Sequence, residues 1–177
     1  MKKLLLTAAI VFAAAPALAQ TILPNPTAAE AGAPRPARQR GIPAALAVEA
    51  AEAANATCKA NGNKTTTVII DSEGVPIAMV SDDGAAAITQ RIASGKATTA
   101  LKMKMTSGEA TTRAQTDQAF MAQLMADPAM GQPRKGGVPI TVGGEIVGAI
   151  AVSGAPSGDQ DEPCAKVGLA KIQDRLH

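Results

Sequence analysis

From Ile42 onward, apolar and polar residues follow first a helical and then a strand-like spacing. Small and apolar residues recur along one side of a predicted helix that stops at Asn61-Gly62. The β-branched run Lys64–Ile70 predicts a strand, and Val75–Ser81 predicts a second strand after a short turn. Because strands this close in sequence pair with each other, we predict a hairpin whose second strand lies at a sheet edge, since Pro76 cannot donate to a neighbour. The expected buried face of the helix is formed by Leu46, Ala50, Ala53, Ala54 and Thr57.

The middle of the chain has helical character. Ala85–Met103 carries apolar or small residues at near-helical spacing. Thr106-Ser107 has the residue types that begin a helix, and Glu109 in the first turn suits the helix dipole. We predict that this helix continues through Gln115–Met125 and ends at Asp127-Pro128.

The last part of the chain predicts a second hairpin and a closing helix. Val138–Val142 and Glu145–Val152 flank Gly143-Gly144, a two-residue turn typical of tight hairpins. Gln160–Leu176 predicts a helix with apolar residues at positions 164, 167, 169 and 172. The order helix, hairpin, helices, hairpin, helix indicates an α+β fold with an antiparallel sheet of about four to five strands. We expect both terminal helices on one face of this sheet.

The first residues have the pattern of a secretory signal peptide. Lys2 and Lys3 precede an apolar run, Leu4–Ala15, and Ala17-Leu18-Ala19 matches an A-x-A cleavage signal. The run is too short to span a membrane, and no other run approaches the roughly 20 residues required. We therefore expect cleavage after Ala19 (signal peptide 1–19) and a periplasmic or secreted protein.

A flexible leader is predicted at residues 20–41, before the domain at 42–177. Prolines cluster there, together with Arg35, Arg38 and Arg40, and large apolar side chains are scarce. Such a segment buries too little surface to offset its ordering entropy. Its arginines could contact an acidic surface, although a solubilising tail explains them equally simply.

Charge and aromatic content exclude two classes of binding protein. The whole chain has 17 Lys and Arg against 15 Asp and Glu, and removal of the signal peptide balances the two sets. Phe120 is then the only aromatic residue, since Trp and Tyr are absent. Single-stranded nucleic acids are bound by aromatic stacking over a basic groove. We therefore expect no nucleic-acid partner and no sugar cleft built on aromatic stacking.

The two cysteines, Cys58 and Cys164, lie on the predicted terminal helices. Export would place them in an oxidising compartment, where a disulfide is stable. Closing a loop of about 100 residues would stabilise the fold by roughly 4–5 kcal/mol in the chain-entropy model. We expect this disulfide; two reduced, buried thiols are the alternative.

Several motifs share their order and spacing with a known family. These are K-A-T-T-A (96–100), Thr106-Ser107, K-G-G-V-P-I (135–140), G-E-I-V-G-A-I-A-V-S-G (144–154) and D-Q-D-E-P-C-A-K-V-G (159–168). Over roughly residues 44–172 the chain resembles the GlcG/HbpS family, a haem-binding-protein-like group with a profilin-like α+β fold. The resemblance implies haem or a related tetrapyrrole as ligand, iron as another candidate, and a homo-oligomer.

The resemblance also suggests ligand-binding residues. Thr106 occupies the position of a family threonine thought to coordinate haem iron, and Met103 and Met105 are neighbouring candidates because thioethers bind haem iron. Lys102 is close enough in sequence to pair with a haem propionate. Neither feature requires a ligand. The methionines could pack in the core, and Lys102 could be an ordinary solvent-exposed lysine. A hydroxyl is a weak iron ligand, so we expect modest affinity.

Acidic residues form two candidate cation sites. Glu49 and Glu52 are three residues apart, which places them on one helical face. They resemble an acidic pair linked to iron binding in the same family, although such pairs are usually ordinary surface. Asp159, Asp161 and Glu162 either offset the positive end of the last helix or bind a hard cation through oxygen ligands.

Enzymatic motifs are lacking. Ser153 is not part of a G-x-S-x-G elbow, and the only histidine is the terminal His177. We therefore expect an exported haem- or iron-binding protein for sequestration, sensing or transfer, rather than an enzyme. The alternative is an oligomeric interaction or accessory module of the GlcG type with no haem function.

Overall fold

The computed structural model describes residues 40–177. The predicted signal peptide and leader residues 20–39 lie outside the described residues. Within the described range the helices are α1 (Ala44–Ala60), α2 (Ile88–Met103), α3 (Ser107–Ala114), α4 (Gln118–Ala126) and α5 (Gly158–Ile172), followed by a 3₁₀ turn, Gln173–Arg175. The strands are β1 (Thr66–Asp71), β2 (Pro76–Ser81), β3 (Gly137–Val142) and β4 (Glu145–Ser153).

The four strands form one antiparallel sheet in the order β2-β1-β4-β3. Val68 of β1 lies opposite Met79 of β2 on one side and Ala151 of β4 on the other. Both predicted hairpins are present, and β2 lies at an edge as Pro76 indicated. The Gly143-Gly144 turn has φ values of +57° and +84°, which glycine adopts at little cost and which a tight hairpin turn requires. The prediction of an α+β fold with an antiparallel sheet of about four to five strands is confirmed, and the sheet has four.

Helices cover both faces of the sheet. The larger core lies between the sheet and the pair α1 and α5, and it includes Ile69, Ile140 and Ile150. On the opposite face α2 packs on Val68 and Ile70, together with alanines of β4 and of α2 itself. The terminal helices therefore share one face, as expected from the sequence.

A disulfide between Cys58 and Cys164 connects α1 to α5, with their Cα atoms 5.7 Å apart. Both cysteines are buried. The helices can approach this closely because Gly168 of α5 faces α1: a Cβ there would lie 2.5 Å from the carbonyl oxygen of Ala50. The disulfide interpretation holds, and the alternative of two reduced thiols does not.

The helical segment after Thr106 differs from the prediction. It is divided into α3 and α4 by a break before Asp117, whose side chain accepts a hydrogen bond from the N–H of Phe120 at 2.9 Å. An aspartate that caps a new helix stops the preceding one, a local signal that apolar spacing does not reveal.

Two predicted buried faces are confirmed in part: Ala50 and Ala54 of α1 and Cys164 and Ile172 of α5 are buried as expected. The residues of α1 that are buried are Ala47, Ala50, Ala51, Ala54, Asn55 and Cys58. In α5 the side chain of Val167 is 47% exposed, whereas Ala165 and Gly168 are buried. The small residues lie inside because two helices tied by a disulfide approach too closely for larger side chains.

Between Arg40 and His177, no helix is both long enough and apolar enough to cross a membrane.

Candidate functional site

A groove of about 620 Å³ lies between the first turn of α3 and the first turns of α5. We call it the Thr106 groove. Its volume falls in the range of about 300–1,000 Å³ that small-molecule sites occupy. The groove is lined by Thr106, Gly108, Glu109, Thr112, Arg113, Lys135, Asp159, Glu162, Pro163 and Lys166.

Thr106 is held in place as the N-cap of α3. Its hydroxyl accepts a hydrogen bond from the N–H of Glu109 at 3.1 Å, and the Glu109 carboxylate accepts one from the N–H of Thr106 at 2.8 Å. This reciprocal capping box satisfies two N–H groups at the helix start. The Thr106 hydroxyl keeps its own proton and a free lone pair, so it can still contact a molecule in the groove.

Glu162 of α5 carries a carboxylate oxygen without a partner. Its Oε1 pairs with Lys166 at 2.8 Å, whereas the buried Oε2 accepts no hydrogen bond from the described residues. Gly108 leaves the space that Oε2 occupies, because a Cβ at that position would overlap this oxygen. A buried carboxylate oxygen without a hydrogen-bond donor is costly, which makes Glu162 an unusual residue of this groove.

Three cations and three carboxylates surround the groove. Lys135 pairs with Asp159 at 2.7 Å, and this hydrogen bond raises the pKa of Lys135. Arg113 pairs with Asp117 at 3.1 Å outside the groove lining. The pKa of Asp117 is lowered first by the N–H of Phe120 and then by Arg113. Arg113, Lys135 and Lys166 are therefore each paired with a carboxylate, and the groove lining carries equal numbers of both charges.

The other predicted haem contacts lie elsewhere. Lys102 pairs with Asp127 at 2.5 Å, which lowers the pKa of that carboxyl. Met103 and Met105 pack against the small core cluster that contains Phe120. None of these three predicted residues lines the Thr106 groove. The structure therefore places Thr106 at a groove wall and the methionines beside a core.

Glu49 and Glu52 lie on one face of α1, and Glu49 pairs with Arg175 at 2.8 Å. Glu52 is exposed. Within residues 40–177, no three acidic, cysteine or histidine side chains come together as a metal site.

The acidic trio at the start of α5 is divided among three lysines. Asp159 pairs with Lys135, Glu162 with Lys166, and Asp161 with Lys96. Because each carboxylate is directed to a different cation, the trio does not converge on one point. Asp159 and Asp161 lie in the first turn of α5, where their charges offset the positive end of the helix dipole. This is the first of the two interpretations given for the trio.

A buried ion pair between Lys96 and Asp161 was not predicted from the sequence. Lys96 donates to Asp161 at 2.6 Å and to the carbonyl of Val152 at 2.8 Å, and Asp161 also accepts from the N–H of Ala155 at 3.0 Å. Burial lowers the pKa of Lys96 and raises that of Asp161, since desolvation outweighs their mutual attraction. The sequence did contain a signal for this ion pair: Lys96 lies among the small and apolar residues of a predicted helix.

Comparison with solved structures supports the fold. A double Glu-to-Asp mutant of HbpS from Streptomyces reticuli superposes with a TM-score of 0.66 and 29% identity, covering 84% of this chain and 97% of that one. Klebsiella pneumoniae protein ORFY superposes with a TM-score of 0.70 and 21% identity, covering 79% of this chain and 96% of that one. The PduOC:Heme complex superposes with a TM-score of 0.68 and 21% identity, covering 74% of this chain and 94% of that one.

None of the curated proteins is significantly similar to this sequence. The family model described as "Haem degrading protein HbpS-like" matches residues 42–170. This match covers well over half of the sequence and includes every element from α1 to β4 and most of α5. The chain therefore belongs to the HbpS-like family.

Proposed function

We propose that this protein binds haem, or a closely related tetrapyrrole, in the Thr106 groove. The observation that carries the proposal is the pairing of a fixed hydroxyl with a buried, unpartnered carboxylate oxygen across one groove, at Thr106 and Glu162. Membership of the HbpS-like family and structural similarity to a protein crystallised with haem support the choice of ligand. The apparent signal peptide supports a role outside the cytoplasm, in sequestration, sensing or transfer.

The groove suits a loosely held haem. Haem iron is usually bound by His, Cys, Met or Tyr, and none of these lines the groove. If bound here, haem would supply an iron atom that oxygen atoms of the groove could hold. Thr106 would offer its hydroxyl oxygen to that iron, and Glu162 lines the groove beside Gly108. Because a neutral hydroxyl is a weak ligand, we expect modest affinity and ready release, which suits transfer or sensing.

Cations at the groove fit the carboxylates of haem. Arg113 and Lys166 line it on opposite helices, α3 and α5, and Lys135 lies at one end. Hydrogen bonds between cationic side chains and carboxylates are about twice as strong as neutral ones. In this proposal these residues take the role that the sequence suggested for Lys102, which does not line the groove.

Replacing Thr106 by Ala is expected to weaken hemin binding about tenfold, the equivalent of about 1.4 kcal/mol. The substitution removes both the hydroxyl and the helix cap. Thr106→Ser is the matched control, since it keeps both and should bind hemin as the parent protein does. Binding is measured as a saturable shift of the Soret band, which the protein hardly obscures because it has no Trp or Tyr.

The folding of each variant is checked by far-UV circular dichroism. Glu162→Gln is a second test that leaves the cap intact, and it is expected to weaken hemin binding as well. The proposal is rejected if hemin gives no saturable shift, or if the Ala, Ser and Gln variants all bind like the parent protein.

An oligomeric interaction module with no haem function is the second candidate. The edge strand β2 presents unpaired backbone groups beside Val75 and Met79, which are 48% and 42% exposed. An edge with exposed apolar side chains favours pairing with a second copy. Met79→Lys is expected to halve the mass measured by light scattering, whereas Met125→Lys, at an equally exposed site on α4, should leave it unchanged. A monomeric parent protein would contradict this candidate.

A further inference from the structure

A second cavity, of about 420 Å³, lies beside the Thr106 groove. It is bounded by α2, by the end of β4 and by the loop that leads into α5. We call it the Lys96 cavity. Lys135 and Asp159 line both the cavity and the groove, so the two are neighbours.

Ser153, the last residue of β4, lines this cavity. The residue is only 4% exposed, and its hydroxyl makes no hydrogen bond to any residue between 40 and 177. A buried hydroxyl that faces a cavity without a protein partner is available to a ligand.

Lys96 contributes a second unused donor. Its ammonium group has three protons, and the structure shows two acceptors, the Val152 carbonyl and the Asp161 carboxylate. The third proton has no acceptor among the described residues. Since the side chain is 4% exposed and lines the cavity, bulk water reaches it poorly.

The first turn of α5 adds backbone donors. Ser157 is the N-cap, but its side chain makes no capping hydrogen bond. Its carbonyl accepts from the N–H groups of Gln160 and Asp161, whereas those of Gly158 and Asp159 have no acceptor in the described part of the chain. Free N–H groups at the positive end of a 15-residue helix favour an anion.

The charges of the cavity lining leave one cation in excess. Asp161 is occupied by Lys96 and the N–H of Ala155, and Asp159 is occupied by Lys135. Arg134 is exposed at the rim and forms no ion pair with residues 40–177. An incoming anion would therefore meet free donors and a free guanidinium, while both carboxylates of the lining are already neutralised.

We propose that the Lys96 cavity binds a carboxylate or phosphate group, held by Ser153, Lys96, Arg134 and the first N–H groups of α5. Such a group could belong to a free small anion or to the carboxylate of a larger ligand in the adjoining Thr106 groove. The proposal does not require haem binding, because every donor it uses lies in the cavity itself.

The test is titration of the full chain with inorganic phosphate at constant ionic strength, followed by ¹⁵N NMR. Phosphate is expected to shift the backbone amide signals of Gly154, Ala155 and Ser157–Asp159 in a saturable way. Arg134→Gln should weaken binding about tenfold, and Ser153→Ala should weaken it as well, since each removes a donor to a charged group. Arg91→Gln is the matched control: Arg91 is also exposed and on α2 but does not line the cavity.

A second titration compares hemin with its dimethyl ester, whose carboxylates are blocked. If Arg134→Gln weakens binding of hemin and leaves binding of the ester unchanged, the cavity accepts a propionate of the larger ligand. If only phosphate binding depends on Arg134, the anion is a separate small molecule. The proposal is overturned if the Arg134→Gln and Arg91→Gln variants bind phosphate and hemin alike. Failure of hemin to bind at all would reject the haem proposal and leave the phosphate result to decide this one.

Discussion

Replacing Lys96 by Met is expected to lower the free energy of unfolding by about 3–5 kcal/mol at pH 7, the usual cost of removing one partner of a buried ion pair. Asp161 would remain buried with only the N–H of Ala155 as a donor. Because both side chains are nearly inaccessible, at 4% and 3% exposure, solvent cannot replace the lost ammonium group. The measurement is urea unfolding followed by circular dichroism, since the protein has no Trp for fluorescence.

This loss should depend on pH in a definite direction. Burial already raises the pKa of Asp161, and removal of the neighbouring ammonium would raise it further. A carboxyl whose folded-state pKa exceeds its unfolded value contributes stability at low pH that is lost as the pH rises through the folded value. The free energy of unfolding of the Lys96→Met variant should therefore be closer to that of the parent protein near pH 4 than at pH 7.

Two controls separate burial from simple loss of charge. Lys102→Met removes a lysine of the same helix that also pairs with a carboxylate, Asp127, but in an exposed position. It should change stability far less, because water screens that pair. Adding Asp161→Asn to Lys96→Met should recover part of the loss and abolish its pH dependence. Equal losses for Lys96→Met and Lys102→Met would show that the buried pair has no special role.

Removing the disulfide should destabilise the protein by a similar amount. The bond joins residues 106 positions apart, and the chain-entropy model gives about 4.7 kcal/mol for a loop of about 100 residues. For a domain of this size we expect the melting temperature to fall by roughly 10–20 °C when both Cys58 and Cys164 are replaced by Ala. Thermal melts by circular dichroism measure this shift.

Reductant provides the matched control for this prediction. Dithiothreitol should lower the melting temperature of the parent protein towards that of the double Ala variant and leave the variant unchanged. A thiol assay of the unfolded, unreduced parent protein should find no free thiol. Two titratable thiols, or a melting temperature insensitive to reductant, would contradict the disulfide.

The sequence predicted most of the local structure because the signals are local. Val68 and its β-branched neighbours indicated a strand, and Gly143-Gly144 indicated the turn of a hairpin. Thr106 followed by Glu109 predicted the helix start that the structure shows as a capping box. The break before Asp117 was missed since apolar spacing continues across it.

The candidate site was only partly predictable. Thr106 was identified through family resemblance, and it does line a groove. Met103 and Met105 could not be placed in advance, because whether a methionine faces a groove or a core depends on how α4 packs against the helices before it. They pack beside Phe120 of α4, and oxygen and nitrogen groups line the groove instead.

By itself the sequence determined the order of helices and strands and the edge position of β2, and it favoured a disulfide between the terminal helices over two reduced thiols. These follow from residue periodicity, turn chemistry and two cysteines with only one possible intramolecular pairing. Only the tertiary structure decided that Lys96 meets Asp161 across 65 residues and that Gly108 faces Glu162. Such contacts depend on the register of β1 and β4 and on the docking of α5 against them, which are set by packing over the whole core rather than by neighbouring residues.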